Sequence, residues 1–479
     1  MQNLIPHFIL EQYAKSEDGQ PLFGSFEAVS LFVDLSGFSA VTNTLMEHGN
    51  EAAEAMADVM LTIFEPLVEQ IYAHKGFITT FAGDAFTALF PKLDFAEEVE
   101  SYHHALAAAV KIQQYLTAHS IQPTPYGSFP FTIKLGLADG EACWGILSSG
   151  TDNIDEDKVT YYFNGTAIDA AAKAESYARS GNLILNNSVE AQVKSLIKTI
   201  AVGEDSGYVR MVAVDGTLPT AFQIERSIDY VEYETALIPS AIQKFTTHGE
   251  FRQVVSVFVN LMGIDTNEEL AVFMKSVFTL QEQYGGYLGR IDFGDKGCNL
   301  LMFWGAPTSY EQDIERALGF AVDLGNNTTC TYKAGITYKA MYAGLAGSPL
   351  RGEYTCYGGG VSFAARLMVA APWGSIWVDK QIYERAHRQF AIEYEGHFPF
   401  RGFPEDKPVY TLLDRKREDA EDFYNGQLVG RQSELKTLTE FVQPILNPES
   451  EKRFAGAAVI WGEPGMGKSR LWIEQKEVK

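Results

Sequence analysis

The feature that most constrains this chain is that it contains one pattern twice. Ala28-Val-Ser-Leu-Phe-Val-Asp-Leu-Ser-Gly-Phe38 and Val254-Val-Ser-Val-Phe-Val-Asn-Leu-Met-Gly263 share a β-branched and aromatic run, a polar residue, a Leu and a Gly-containing turn. Such short apolar runs bounded by turn signals suit buried strands. An apolar-periodic helix is expected after each, over Thr42–Ala73 in the first half and Glu268–Tyr284 in the second. Next comes a hairpin within 76–90, turning at Ala82-Gly83-Asp84, with a counterpart within 286–303. A second helix (His103–Thr117; Gln312–Leu324), a strand (Phe131–Gly140; Thr331–Ala340) and a Gly-bearing segment leading into a helix (Tyr161–Ala174; Tyr354–Met368) follow in both halves. Strand-like runs, Ala221–Glu225 and Val409–Leu413, close them. A period of roughly 220 residues is too long for a solenoid and implies a tandem duplication of an α+β domain.

Length agrees, since 479 residues at one domain per ~150 leave room for about three. The expected division is 1–225 (first domain with an N-terminal extension), 226–253 (linker), 254–415 (second domain) and 416–479 (linker and the truncated start of a third). With 38 Lys+Arg against 62 Asp+Glu, the formal charge is −24. That argues against nucleic acid or an anionic membrane surface as partner, because both need clustered cations. Cys143, Cys298, Cys330 and Cys356 are far apart in sequence, which fits a reducing compartment. No apolar run approaches the ~18 residues of a membrane helix, and Met1–Gln20 lacks the order of a signal peptide. A cytoplasmic, multidomain protein is expected.

The third segment carries a sharper motif. Leu428-Val-Gly-Arg-Gln-Ser-Glu-Leu-Lys-Thr-Leu places a polar cap before an amphipathic helix. Ala457–Trp461 then reads as a strand, and Gly462-Glu-Pro-Gly-Met-Gly467-Lys468-Ser469 opens the next helix. This is a P-loop in strand–loop–helix context: backbone N–H groups cradle phosphates, Lys468 neutralises them and Ser469 reaches Mg²⁺. No acidic strand follows to complete such a site.

In the duplicated part, Asp34 ends an apolar strand and Asp84 sits in a hairpin turn. If those strands are neighbours, the two carboxylates converge, and paired carboxylates with a backbone carbonyl bind Mg²⁺ that takes phosphate oxygens as further ligands. Two such ions serve displacement at phosphorus. The turn Leu35-Ser36-Gly37-Phe38-Ser39 before a helix offers N–H groups to a triphosphate. Taken singly, Asp34 and Ser39 also read as helix caps and Asp84 as a turn residue.

Phe32-Val-Asp-Leu-Ser-Gly-Phe38, Phe81-Ala-Gly-Asp84 and Lys134-Leu-Gly-Leu-Ala-Asp-Gly140 resemble the class III nucleotidyl cyclase domain, as do Phe258-Val-Asn-Leu-Met262, Asp295-Lys-Gly-Cys298, Glu353-Tyr-Thr355 and Ala364-Ala-Arg-Leu-Met368. Within that class the chain is most similar to the soluble, bicarbonate-responsive adenylyl cyclases, which also carry two cyclase domains followed by a P-loop NTPase region. The resemblance spans roughly residues 25–415 and extends in kind to the P-loop. It implies two ferredoxin-like domains forming a pseudo-symmetric pair within one chain, a monomer, with one full active site across their interface. It further implies two Mg²⁺ (or Mn²⁺) held by Asp34 and Asp84 with the Leu35 carbonyl, and Lys134 on the phosphates of ATP. Arg290 and Thr355 fall near the family's base-reading positions, and Arg366 matches the transition-state arginine, a role suited to a fixed, always-charged donor fork. The implied reaction is attack of the ribose 3′-oxygen on the α-phosphate with loss of pyrophosphate.

The departures from the family are specific. Ser362 stands where the family has a transition-state asparagine, and a shorter donor calls for a bridging water. Arg290 replaces a lysine, and Thr355, where a guanylyl cyclase has Cys, favours ATP. Asn260 stands where the first half has Asp34, so the opposite site lacks a metal carboxylate, and a pseudo-site of this kind can become an effector pocket. The bicarbonate-responsive relatives hold the anion there with a Lys and an Arg. Thr80 occupies the Lys position, and Ala172 or Lys173 the Arg position, which weakens the case for bicarbonate as activator.

Other features read as structure. Gly358-Gly359-Gly360 lacks dinucleotide-site spacing and reads as a turn. His103 and His104 are adjacent rather than four apart, and Cys298 and Cys356 read as packing residues. Arg415–Phe423 reads as a mixed-charge linker. Two functions remain open: an adenylyl cyclase, or a weakly active or inactive cyclase pair serving as a nucleotide- or anion-sensing module for the attached NTPase.

Overall fold

The computed structural model describes residues 3–15, 22–150, 158–203, 206–224, 237–243, 249–293, 297–416, 430–446, 456–462, 468 and 471. It divides into two units, Met1–Asp414 and Arg415–Lys479.

The larger unit contains two sheets. The first is built from β1 (Leu22–Ser36), β2 (Phe77–Ala82), β3 (Ala85–Pro91), β6 (Thr132–Ser148), β7 (Val159–Asn164), β8 (Leu183–Asn186), β9 (Ile197–Ala201) and β10 (Tyr208–Val214). A separate hairpin, β4 (Ile121–Thr124) and β5 (Gly127–Pro130), precedes β6. The second sheet comprises β11 (Glu250–Met262), β12 (Tyr287–Asp292), β13 (Asn299–Trp304), β14 (Thr331–Ser348), β15 (Arg351–Tyr357), β16 (Ile376–Val378), β17 (Phe390–Phe398) and β18 (Lys407–Arg415). Their orders are β2-β3-β1-β6-β8-β10-β9 with β7 on β6, and β12-β13-β11-β14-β16-β18-β17 with β15 on β14. These are one permutation, so the duplicated α+β architecture expected from the repeat is present strand for strand. Even the irregularities repeat: β2 bulges between Ile78 and Thr80, and β12 between Leu288 and Arg290. The bulge makes Arg290 the counterpart of Thr80.

The long helices of each half cover one face of its sheet. Ala53–Ala73 buries Ile63, Phe64, Leu67, Val68 and Ile71, and Glu98–Ala118 packs closely through Ala105, Ala107, Ala108 and Ala109. In the second half Asn267–Tyr284 begins at a capping box, the Thr266 hydroxyl accepting from Glu269 N–H and the Glu269 carboxylate returning to Thr266 N–H. The single helix expected over Thr42–Ala73 is two, Phe38–Glu47 and Ala53–Ala73, joined by a 3₁₀ turn at Gly49–Ala52. Gly49 has φ +68°, a left-handed backbone that stops an α-helix.

Two strand expectations fail. Residues 221–224 are not a strand: Phe222 stacks on His104 at 4.7 Å and its N–H donates to Ala73 O. Glu225 lies outside the described residues. The sheet's outer strands are β9 and β10, largely solvent-facing and therefore lacking an apolar signature. Val409–Leu413, by contrast, falls inside β18.

The two domains exchange core residues. Tyr342, Ala346 and Tyr357 pack in the first domain's core, and Leu147 and Tyr162 pack in the second's. The far halves of β6 and β14 do this together with their partners β7 and β15; at 17 and 18 residues, β6 and β14 are far longer than an ordinary strand. The N-terminal segment crosses as well: Asn3 N–H donates to Pro349 O, Gly352 N–H to Asn3 O, and Arg351 to Leu4 O at 2.7 Å.

The smaller unit contains the helix Gln432–Leu446. Residues 456–462 form no strand, although Ala457–Trp461 reads as one; Val459 is 84% and Trp461 95% exposed. A strand needs a hydrogen-bonding neighbour, and the described residues of this unit supply none. The start of the expected linker, Arg415, ends β18 and most of the rest of it lies outside the described residues, as do Gly467 and Ser469.

Candidate active site

Asp34 lies near the end of β1, paired with Ala85 of β3 on one side and Lys134 of β6 on the other. The β2–β3 turn brings Asp84 beside it, tied by the Leu35 N–H donating to Asp84 O at 3.2 Å. Neither aspartate caps a helix: the helix Phe38–Glu47 starts at Gly37, with no side-chain cap. Burial pushes the Asp84 carboxyl up to about 6, and the neighbouring Asp34 charge adds to the shift. Two carboxylates that repel in a half-buried corner are a site a divalent cation relieves. Among the described residues no cluster of three or more His, Cys, Asp or Glu side chains surrounds a point. Two carboxylates are a donor set that would fit an Mg²⁺-like ion, which keeps waters and accepts substrate oxygens.

The Lys134 ammonium sits 3.3 Å from Asp34 Oδ2 and 2.9 Å from Glu175 Oε1, and the Glu175 bond above all holds its pKa up. Glu175, on helix Thr166–Ser176, is a site residue the sequence reading missed. The helix reaches it because Gly136 lets the Ala171 and Glu175 backbone lie against β6. Gly37 is required at the turn before the helix Phe38–Glu47: its φ is +133°, and a Cβ there would lie 2.6 Å from Pro130 O. The first turn at Ser36, Gly37, Phe38 and Ser39 leaves N–H groups of Phe38 and Ser39 without intrahelical acceptors.

At the equivalent place in the second domain, the buried Asn260 amide donates to Cys298 O (3.3 Å) and Asn299 Oδ1 (3.0 Å). Asp295 lies outside the described residues.

Across the interface, one face of β15 meets the β2 hairpin. Glu353 accepts from Thr80 Oγ1 at 3.3 Å, from Phe81 N–H at 3.1 Å and from Arg351 at 3.1 Å. Burial raises its carboxyl pKa against the opposing pull of Arg351. Arg290 pairs with Asp292 and reaches Phe81 O at 3.5 Å, and Thr355 is buried two residues beyond Glu353. A cavity of about 800 Å³ lies here, lined by Thr80, Lys158, Tyr161, Arg290, Glu353 and the N-terminal Leu4.

Arg366 and Ser362 lie on the helix Gly359–Ala370 that follows β15. The Arg366 guanidinium lies 5.3 Å over the Phe403 ring, where burial and then the Arg401 charge lower its pKa. Ser362 is exposed. Lys173 is exposed and Ala172 half-buried on helix Thr166–Ser176, while Thr80 is engaged by Glu353. In the smaller unit, the Lys468 ammonium donates to Gly462 O at 2.7 Å.

No family model matches the chain. Adenylate cyclase type 10 of Oryctolagus cuniculus is 24% identical over 96% of this chain, which spans 31% of that relative's length. The human protein of the same name is 23% identical over the same share. Among solved structures, a class III adenylyl cyclase-like ATP-binding protein from Pseudomonas aeruginosa aligns over 76% of this chain and 85% of its own, at 13% identity and a TM-score of 0.49. Over 96% of its length the chain is thus a sequence relative of adenylate cyclase type 10, and both of its large domains carry the α+β arrangement whose motifs resemble the class III nucleotidyl cyclases.

Proposed function

We propose that the chain is an adenylyl cyclase that converts ATP to cyclic AMP and pyrophosphate at one site between its two large domains. The observation that carries this reading is the convergence of Asp34 and Asp84, in a chain that aligns over 96% of its own length with 31% of adenylate cyclase type 10. In this reading the ribose 3′-hydroxyl gives up its proton, its oxygen bonds to the α-phosphorus, and the bond from that phosphorus to the β-phosphate bridging oxygen breaks. Mg²⁺ or Mn²⁺ bound by the two carboxylates and the Leu35 carbonyl would acidify the 3′-hydroxyl and shield the leaving pyrophosphate. The Phe38 and Ser39 N–H groups hold the triphosphate, and Lys134 turns from Asp34 to the phosphates. Thr355 and Arg290 face the base. Arg366 leaves Phe403 to donate, with Ser362, to the charge that builds on the α-phosphate. In this reading the chain acts in the cytoplasm as a monomer.

The full chain incubated with ATP or GTP and either Mg²⁺ or Mn²⁺ is expected to yield cyclic AMP from ATP. Asp34→Ala removes a cation ligand and is expected to abolish the product; a substantial residual rate would refute the assignment. A second reading, a nucleotide-sensing module for a following NTPase, is favoured by the position of Arg366 over Phe403 and by the exposed Ser362. Nucleotide bound without product from either substrate selects it.

A further inference from the structure

β15 lays the side chains of one face along the first domain's β2 hairpin in sequence. Arg351 donates to Ile78 O and Thr79 O, and Glu353 accepts from Thr80 and Phe81. Strand alternation puts Thr355 and Tyr357 next on that face, advancing toward the turn that carries Asp84. Tyr357 ends inside the first domain's core, with its ring centroid 6.0 Å from that of Phe38, the residue that opens the phosphate turn's helix. Its hydroxyl is buried without a hydrogen-bond partner.

An orphaned hydroxyl is costly, and a plug for this core does not need one. The surrounding core is filled by phenylalanines, among them Phe38, Phe64, Phe81, Phe86 and Phe131. The duplicate repeats the anomaly. Asn164, like Tyr357 the last residue of its strand, also buries an unpartnered polar atom, Oδ1.

We propose that Tyr357 is a substrate-contacting residue whose hydroxyl donates a hydrogen bond to an anionic oxygen of the bound nucleotide's polyphosphate. Its ring lies against Phe38, whose N–H the cyclase reading assigns to the triphosphate, and this selects the polyphosphate over the base. The assignment rests on the cyclase reading for where the triphosphate lies.

Tyr357→Phe in the full chain removes only the hydroxyl. Losing a hydrogen bond to a charged group is expected to lower kcat/KM for ATP by about tenfold to a hundredfold, with the thermal midpoint unchanged or raised. Wild-type kcat and KM in the variant would overturn the proposal and leave the ring as packing. If the parent chain makes no product, the cyclase reading fails by itself, and binding of ATP with Mg²⁺ by calorimetry carries the test. Weaker binding by the variant then upholds the Tyr357 contact, and equal binding, or no binding by either protein, overturns it.

Discussion

At the start of the short helix Lys380–Ala386, the Asp379 carboxylate accepts the Ile382 N–H at 3.0 Å, while its second oxygen is buried without a partner. Burial raises its pKa to about 6. In the first domain Asn186 does the same work, accepting from Val189 N–H at 3.0 Å without a charge. Because the folded-state pKa of Asp379 lies above the unfolded value of about 4, the fold prefers the protonated acid. Its stability contribution is complete at low pH and is lost as pH rises through about 6. Asp379→Asn keeps the cap and removes the charge. Denaturant titrations should show a gain of up to about 3 kcal/mol at pH 8 and none at pH 4. The Thr80 site makes a second prediction. A Glu353 carboxylate already receives the donors of Thr80 and Phe81, so bicarbonate titrated at constant pH is expected to leave the rate of cyclic nucleotide formation unchanged; saturable activation would show that Glu353 yields. Asp34 and Asp84 were legible because a strand end and a turn are local patterns. Glu353 and Tyr357 were not, since what they touch lies across a domain interface that no local pattern announces.

Among the elements, the tightest joint is the helix crossing each long strand. A Cβ on Gly136 would collide with Ala171 O, and one on Gly335 with Ala364 O, the same collision in both halves. Gly136→Val and Gly335→Val should each cost about 1–3 kcal/mol or more, because backbone cannot step aside as a side chain can. Chemical denaturation of the two variants checks this, and near-neutral substitutions would mean the helices ride looser than the close approach implies. Sequence periodicity revealed the helices and the central strands, whose apolar runs are buried. It missed β9 and β10, which expose much of their surface, and it joined two helices because a left-handed Gly49 leaves no trace in the apolar spacing. It also placed a strand at Ala457–Trp461, where apolar residues are present but no neighbour among the described residues pairs with them.

For the whole molecule, the exchanged cores mean that neither cyclase-like domain owns all of its interior. Residues 1–225 expressed alone would lack Tyr342, Ala346 and Tyr357 and would leave Leu147 and Tyr162 uncovered. Each half alone is expected to self-associate or aggregate, and the two produced together to recover a one-to-one complex with a single unfolding transition. Separate, fully cooperative unfolding of each isolated half would contradict this. The N-terminal segment adds a consequence in time. Asn3 and Leu4 are synthesised before their partners Pro349, Arg351 and Gly352, which follow almost 350 residues later. At ~5–20 residues per second this segment waits about 20–70 s for a place to dock. Throughout that interval Ile5, Ile9 and Leu10 have no second domain to close over them. Synthesis rate and chaperone supply, as much as stability, should therefore set how much of this protein a cell can make.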